Sequence, residues 1–158
     1  MTWQEVINDH TLQNLPYKIE LNEQGKIVMS PATNMHGILQ MMIGSLLMQL
    51  LKSGSSISEC SIQTRKNVKV ADVAWMSAEF YKKYKRQTPF PVAPEICVEI
   101  TSPSNTKEEM LEKLDLYLEQ GAKEVWFCNL QGTMTFYNKN GTLERSELVS
   151  EFPLSIET

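Results

Sequence analysis

Residues 68–76 read VKVADVAWM and residues 96–101 read ICVEIT, and these two stretches are the most informative in the chain. Both stretches are typical of buried β-strands, and each contains a single carboxylate. Alternation along the strands places Asp72 among valine, alanine and methionine side chains, and Glu99 on the face of a cysteine and a threonine. An unpaired carboxylate on a core face costs on the order of several kcal/mol unless it is neutralised, paired or bound to a cation. Two such carboxylates on neighbouring strands predict a divalent-metal site.

The composition is that of an ordinary globular protein. The chain has 158 residues, of which 42% are hydrophobic, and we expect one domain spanning residues 1–158. A formal net charge of −4 argues against a general nucleic-acid coat protein but leaves room for a local basic surface. The longest apolar stretch, residues 38–51, is broken by polar side chains and is shorter than the roughly 20 residues that span a bilayer. The first residues lack a basic region followed by an apolar stretch, so the sequence predicts a cytoplasmic protein without a membrane span.

Capping and turn residues divide the chain into short elements. Thr2 with Glu5 and Thr106 with Glu109 have the capping-box spacing, and Gly121 stands where a helix end needs a left-handed residue. The three separated cysteines are expected to be buried free thiols. The predicted helices cover residues 2–9, 34–52, 77–86 and 106–121. The predicted strands cover residues 17–23, 26–29, 57–65, 68–76, 95–101, 124–129, 132–137 and 142–148, the last two as a hairpin.

From residue 34 onward the main elements come in the order helix, three strands, helix and strand, with one acid in the middle strand and one in the third. The segments that carry a family resemblance are residues 17–21, 25–31, His36 and residues 70–74, 94–104 and 113–126. With them the chain resembles the PD-(D/E)XK nuclease superfamily and, within it, the Uma family of restriction-endonuclease-like proteins. The resemblance implies an α/β (α+β) fold, a restriction-endonuclease-like core with a mixed β-sheet flanked by helices. The elements would follow αβββαβ order with an N-terminal β-hairpin and a C-terminal hairpin.

Two positions depart from the superfamily pattern. The proline that usually precedes the first acid is Ala71, and the lysine expected two residues after the second acid is Thr101. Uma-like sequences generally lack that lysine and offer one from the following helix. Lys113 fits this role because a helical wheel places it at the edge of the apolar stripe that faces the sheet. Lys107, in the first turn of the same helix, is a second candidate.

The resemblance implies metal-assisted hydrolysis of phosphodiester bonds in nucleic acid, with DNA as the expected substrate. Asp72 and Glu99, with a main-chain carbonyl near Ile100, would hold Mg²⁺ or Mn²⁺ through oxygen ligands. The metal would lower the pKa of a water and offset charge on the phosphate, while Lys113 would orient that water or stabilise the phosphate. Glu20 would complete the acidic cluster or bind a second ion.

Each assignment has a structural alternative. Asp72 could be a strand-edge acid paired with one of three nearby cations, Arg65, Lys66 or Lys69. Glu99 could form a purely structural ion pair with Lys113, and Lys113 could instead be a surface lysine. His36, one turn from the start of its helix, favours capping or packing over catalysis.

The function also has alternatives. The chain could be a non-enzymatic nucleic-acid-binding or dimeric scaffold protein of the same fold, in which Thr101 marks lost chemistry. It could also be a hydrolase or transferase that acts on a small phosphorylated molecule. Residues 80–86, FYKKYKR, interleave aromatic and basic side chains as nucleic-acid binders do. A solvated helix with Phe80 and Tyr84 towards the core explains the same pattern.

Self-association is predicted from the helix at residues 34–52, which is apolar on more than one stripe. One stripe should face the sheet and leave Ile38, Met41 or Met48 in need of cover, and exposed apolar patches usually mark interfaces. The terminal hairpin at residues 132–148 offers a further edge for pairing. We therefore expect a twofold homodimer.

Overall fold

The computed structural model describes residues 1–158. The helices are α1 (Trp3–Asn8), α2 (Asn34–Leu50), α3 (Ala78–Tyr84) and α4 (Lys107–Glu119), with a short 3-10 helix at His10–Leu12. The strands are β1 (Tyr17–Leu21), β2 (Ile27–Pro31), β3 (Ser55–Thr64), β4 (Asn67–Met76), β5 (Ile96–Thr101), β6 (Glu124–Asn129), β7 (Met134–Asn138) and β8 (Gly141–Leu143). With α3 as an insertion, the run from α2 to β6 has the predicted αβββαβ order.

Six of the strands form one mixed sheet in the order β3-β4-β5-β6-β7-β8. Strands β5 and β6 are parallel and are connected through α4, whereas all other neighbouring strands are antiparallel. Strand β1 pairs only with β2, in a separate antiparallel hairpin. The predicted fold class is therefore confirmed, including the hairpins near both ends of the chain.

Each face of the six-stranded sheet is covered by helices. Leu39 and Ile43 of α2 share a buried cluster with Trp126 of β6 and with the C-terminal segment. Leu114 and Tyr117 of α4 belong to a second buried cluster on the other face, together with side chains of α3. Burying one such large apolar side chain contributes about 1.5–3 kcal/mol. This packing fixes α4 against the sheet and so fixes the polar side chains that α4 carries.

The predicted local signals are present where the sequence places them. Thr2 with Glu5 and Thr106 with Glu109 form complete capping boxes at α1 and α4. Gly121 follows α4 with a φ of 109°, a conformation that residues with a Cβ rarely adopt. The three cysteines are buried free thiols, as expected.

The second strand of the C-terminal hairpin, predicted at residues 142–148, is shorter than expected, because β8 ends at Leu143. Beyond β8 the chain turns around the buried carboxylate of Glu124. This carboxylate accepts hydrogen bonds from the Ser146 hydroxyl (2.7 Å) and from the backbone N–H groups of Glu147 (3.0 Å) and Leu148 (2.8 Å). These N–H groups are therefore satisfied without a strand partner.

Helix α2 leaves part of its apolar surface uncovered. Ile38, Met41 and Met48 are 46%, 76% and 59% exposed, in agreement with the predicted uncovered stripe. Leu46 and Leu50 of the same helix pack against the buried cluster but are only partly buried. No helix of the chain is both long and apolar enough to cross a membrane.

Candidate active site

Asp72 and Glu99 lie where strands β4 and β5 separate. The last residue pair between these strands is Val73 with Val98, so both acids come directly beyond the paired region. There the backbone N–H of Ile100 donates a hydrogen bond of 2.7 Å to Asp72 Oδ2. Asp72 and Glu99 are only 1% and 5% exposed. The structure thus brings the two predicted acids together at one end of the β4–β5 pairing.

The backbone beside Asp72 is held by α2 as well as by the sheet. Gln40 of α2 donates one hydrogen bond to the Asp72 carbonyl (2.7 Å) and another to Glu59 Oε1 (2.8 Å). Glu59, on β3, has a φ of 52°, in the left-handed region. A non-glycine residue in this region costs on the order of 1–3 kcal/mol, and such strain concentrates at functional sites. The backbone near Asp72 therefore includes a strained residue of the kind that concentrates at functional sites.

The β1–β2 hairpin supplies a cation that the sequence analysis missed. Lys18 Nζ lies 3.1 Å from Asp72 Oδ1 and 2.8 Å from Glu99 Oε2. Its side chain is only 9% exposed. One ammonium group therefore bridges the two acids. The signal was available, because alternation along β1 places Lys18 on the same side as Glu20.

Glu20 and Lys113 form the second half of the charge cluster. Lys113 Nζ lies 2.9 Å from Glu20 Oε2 and 3.2 Å from Glu99 Oε1. Glu20 Oε2 also accepts a hydrogen bond of 2.7 Å from the backbone N–H of Val70. The helical-wheel argument for Lys113 thus placed it correctly. Glu20 joins the cluster through its ion pair with Lys113.

Two further side chains touch the acids. The Tyr117 hydroxyl donates a hydrogen bond of 2.7 Å to Glu99 Oε1. His36 Nε2 lies 3.1 Å from Asp72 Oδ1, so this residue does more than pack against its own helix. Tyr117 could have been found from sequence, because it stands four residues after Lys113 and so shares its helix face. The contact of His36 depends on how α2 crosses the sheet, which sequence periodicity does not give.

The two acids differ in their electrostatic environment. Burial acts to raise the pKa of Asp72, but the ammonium of Lys18 and the contact with His36 outweigh it and lower that pKa. For Glu99 burial prevails over the attraction of Lys113 and Lys18, so its pKa is raised. Burial opposes the charge of Lys18, yet the carboxylates of Glu99 and Asp72 raise its pKa well above the usual value. Asp72 is therefore the firmly ionised member of the pair.

The cluster forms the floor of a cleft of about 720 Å³. The β2 strand and the segment before α2 line one side, and residues Ser102, Ser104 and Asn105 before α4 line another. As the side chains lie, no group of three or more His, Cys, Asp or Glu residues is arranged to hold a metal ion. The metal assignment therefore depends on two carboxylates.

The two carboxylates fit a hard divalent cation. Mg²⁺ is commonly bound through one or two carboxylates, with waters and substrate phosphates completing its coordination. Asp72 Oδ1 and Glu99 Oε2 both face the single nitrogen of Lys18, so a position between them already holds a positive charge. Their other oxygens accept N–H and O–H donors and stay in place. The residues present suit Mg²⁺ or Mn²⁺ once the ammonium group has withdrawn.

The other predicted partners of the site lie elsewhere. Lys107 is exposed and does not line the cleft. The proposed cations for Asp72 are engaged differently: Arg65 with Glu119, Lys66 with Glu112, and Lys69 with the carbonyl of Leu21. The strand-edge alternative was therefore wrong about the partner, because the register of β4 points Asp72 towards β1 and β5. The alternative pair of Glu99 with Lys113 does form.

The mixed sheet and its acidic cleft place this chain in the restriction-endonuclease-like class. The family model of Uma2, described as "Putative restriction endonuclease", matches residues 5–155, and the chain belongs to this family. A solved structure described as a putative nuclease belonging to DUF820, from Anabaena variabilis, is similar with a TM-score of 0.68. It is 18% identical in sequence, over 84% of each chain, so this likeness concerns the fold. Among curated proteins, no sequence matches this chain.

Proposed function

We propose that this protein is a metal-dependent nuclease that hydrolyses phosphodiester bonds, with DNA as its substrate. The observation that carries the proposal is the pair formed by Asp72 and Glu99. Two buried carboxylates face one cation between them, at the floor of an open cleft. Membership of the Uma2 family supports the same reaction class.

Each charged residue of the cluster has a separate role in this proposal. Asp72 and Glu99, with a main-chain carbonyl near Ile100, would hold Mg²⁺ or Mn²⁺. The bound metal would lower the pKa of a water and offset charge on the phosphate. Lys113 would orient the water or stabilise the phosphate from the other side of Glu99, and Glu20 would position Lys113.

The charge of the cluster suits an anionic substrate only when a metal is present. Three carboxylates, Asp72, Glu99 and Glu20, face two ammonium groups, so the cluster carries a net negative charge without metal. A divalent cation that takes the place of Lys18 would offset that negative charge, and its open coordination positions would make the cleft floor attractive to a phosphodiester.

The basic helix α3 is a less direct source of attraction for nucleic acid. Phe80 is buried and packs against Tyr84, with ring centroids 4.8 Å apart, as the solvated-helix interpretation expects. The α3 side chains do not line the acidic cleft. The nuclease proposal therefore rests on the cleft itself.

Cleavage assays with matched variants test the proposal. Wild-type protein should nick or degrade plasmid or single-stranded DNA with Mg²⁺ or Mn²⁺ and stay inactive in EDTA. Asp72→Asn and Glu99→Gln should each reduce the rate by about a hundredfold or more. Asp115→Asn, an exposed acid on α4, is the control and should cleave at the wild-type rate. Wild-type protein that cleaves no DNA or RNA at high concentration, or cleavage that survives both active-site variants, would contradict the proposal.

The alternative is a catalytically inactive nucleic-acid-binding or dimeric scaffold of the same fold. The observation that favours it is Lys18, whose ammonium pairs with both acids without a metal. Thr101 also stands where the superfamily lysine is expected. Nucleic-acid binding that is unchanged by EDTA, without cleavage, would select this alternative.

We also propose that the chain forms a twofold homodimer. The uncovered stripe of α2, made by Ile38, Met41 and Met48, supports it, because such apolar surface is usually covered in an assembly. Light scattering should return a dimer mass at micromolar concentration, and Met41→Lys should shift it towards a monomer. A monomer mass for the wild-type protein at high micromolar concentration would refute the dimer.

A further inference from the structure

Lys18 occupies the space in which a shared cation of Asp72 and Glu99 would sit. Its Nζ atom lies within 3.1 Å of one oxygen of each carboxylate. Neither of those two oxygens accepts a backbone hydrogen bond, although Asp72 Oδ1 also lies 3.1 Å from His36 Nε2. The other oxygens, Asp72 Oδ2 and Glu99 Oε1, accept hydrogen bonds from a backbone N–H and from a tyrosine hydroxyl. The metal and the ammonium group would therefore use the same pair of oxygens.

We infer that Lys18 is a built-in competitor for the metal and sets the affinity of the site for divalent cations. This inference rests on the metal site of the proposed function. Without metal, the ammonium group stabilises two buried carboxylates that would otherwise repel each other. On loading, the divalent ion takes its position and the lysine side chain withdraws into the cleft.

The position of Lys18 in the fold allows this exchange. It is carried by β1, which pairs only with β2 and does not belong to the six-stranded sheet. The lysine side chain is flexible, so its ammonium can leave the acids while the strand stays in place. It lines the cleft, which offers it room and solvent.

Lys113 does not have the same role. Its Nζ atom contacts Glu99 Oε1 and Glu20 Oε2 and makes no ion pair with Asp72. Loading of the site therefore leaves Lys113 paired. The geometry distinguishes a lysine that is displaced by the metal from a lysine that remains beside it.

Calorimetric titration with Mn²⁺ tests the inference without any cleavage assay. Lys18→Met should bind Mn²⁺ at least about tenfold more tightly than the wild-type protein, because a competing positive charge has been removed. Lys18→Arg keeps the charge and should stay close to the wild-type affinity. Lys69→Met is the matched control: this lysine lines the same cleft but its Nζ donates only to the Leu21 carbonyl. Its affinity should change by less than about threefold.

Thermal unfolding gives a second readout. Lys18→Met leaves the two acids without their shared counter-ion, so it should melt at a lower temperature than the wild-type protein in EDTA. Saturating Mn²⁺ should raise its melting temperature by more than it raises that of the wild-type protein. If this variant does not fold in EDTA, Lys18→Gln, which keeps a hydrogen-bond donor, is measured in both experiments instead.

The outcomes separate this inference from the proposed function. Tight Mn²⁺ binding by Lys18→Met beside a wild-type protein that neither binds metal nor cleaves would support the inference and contradict the nuclease. A wild-type nuclease whose Mn²⁺ affinity is unchanged or weakened by Lys18→Met would overturn the inference and leave the nuclease. An equal gain in Mn²⁺ affinity for Lys18→Met and Lys69→Met would also overturn it, because the loss of any positive charge from the cleft would then explain the effect.

Discussion

Two buried glutamates on neighbouring strands, Glu99 and Glu124, have carboxylates that are stabilised by different kinds of donor. Glu124 is 2% exposed and is surrounded by neutral donors: the Trp126 indole N–H (2.9 Å), the Ser146 hydroxyl and two backbone N–H groups. Glu99 is 5% exposed and is held by two ammonium groups and one hydroxyl. Glu124 lies at the start of β6 and faces protein, whereas Glu99 lies at the floor of a cleft.

The difference shows how a structural carboxylate is distinguished from a candidate catalytic one. Neutral N–H and O–H donors are fixed parts of the fold, and they leave the Glu124 carboxylate no free acceptor for a ligand. Lysine ammonium groups are mobile, and they can be exchanged for another cation. A carboxylate buried in a strand is therefore weak evidence for a site until its partners are known.

The largest effect on stability is expected at the structural glutamate. Glu124→Ala removes the acceptor of four donors and leaves several of them buried, so unfolding free energy should fall by about 3 kcal/mol or more. Urea unfolding followed by tryptophan fluorescence measures the loss. Affinity for Mn²⁺ in the folded variant should stay at the wild-type value. A loss below about 1 kcal/mol would show that the C-terminal segment does not depend on Glu124.

Glu99, the candidate catalytic glutamate, should show the reverse behaviour. Glu99→Gln keeps an acceptor for the Tyr117 hydroxyl. In this variant Lys18 can still pair with Asp72, and Lys113 can still pair with Glu20. Stability in EDTA should therefore change by no more than about 1.5 kcal/mol. Mn²⁺ affinity should fall by about tenfold or more, because one of two carboxylate ligands is lost. Unchanged metal affinity in this variant would remove the distinction between the two glutamates.

A smaller effect is expected from pH at His36. The contact with Asp72 raises the pKa of His36 above its ordinary value of 6.5, against the opposing effect of burial. The stabilisation is therefore complete below about pH 6.5 and is lost as pH rises through the raised pKa of the folded state. The unfolding free energy of the wild-type protein in EDTA should fall by about 0.5 kcal/mol over this pH range, and that of His36→Gln should not. A wild-type loss that is equal in His36→Gln would assign the pH dependence to another group.

The smallest effect is expected at an exposed ion pair. Arg65 Nε lies 3.1 Å from Glu119 Oε2, but the two side chains are 61% and 47% exposed. Solvent screens such a pair, so Arg65→Ala should leave the unfolding free energy close to the wild-type value. Urea unfolding of Arg65→Ala and of Glu124→Ala under the same conditions compares the two losses of stability. A loss similar to that of Glu124→Ala would mean that exposure does not separate weak from strong polar contacts in this protein.

Local rules predicted most of the fold and part of the site. The capping boxes, the period of two in β5 and the wheel position of Lys113 depend on neighbouring residues, and the structure agrees with each. Lys18, by contrast, reaches its partners only through the packing of the β1–β2 hairpin against β4, a contact between residues 54 positions apart. The length of β8 was wrong for a related reason, since a distant side chain, Glu124, takes the N–H groups that a strand would use.

The buried acids also show what an isolated carboxylate in a strand does not reveal. An isolated carboxylate in an apolar strand predicted Asp72 and Glu99, yet Glu124 at the edge of a strand is equally buried and has no role at the cleft. Sequence periodicity reports burial, but it does not report whether the donors around a carboxylate are neutral or charged. That distinction needs the three-dimensional arrangement.

Anomalous diffraction from crystals soaked in Mn²⁺ would show directly whether Asp72 and Glu99 share a divalent cation. We expect a manganese peak between Asp72 Oδ1 and Glu99 Oε2, with Lys18 Nζ displaced from its bridging position and no peak at Glu124. A structure at saturating Mn²⁺ in which Lys18 still bridges the two acids and no anomalous peak lies beside them would contradict this expectation.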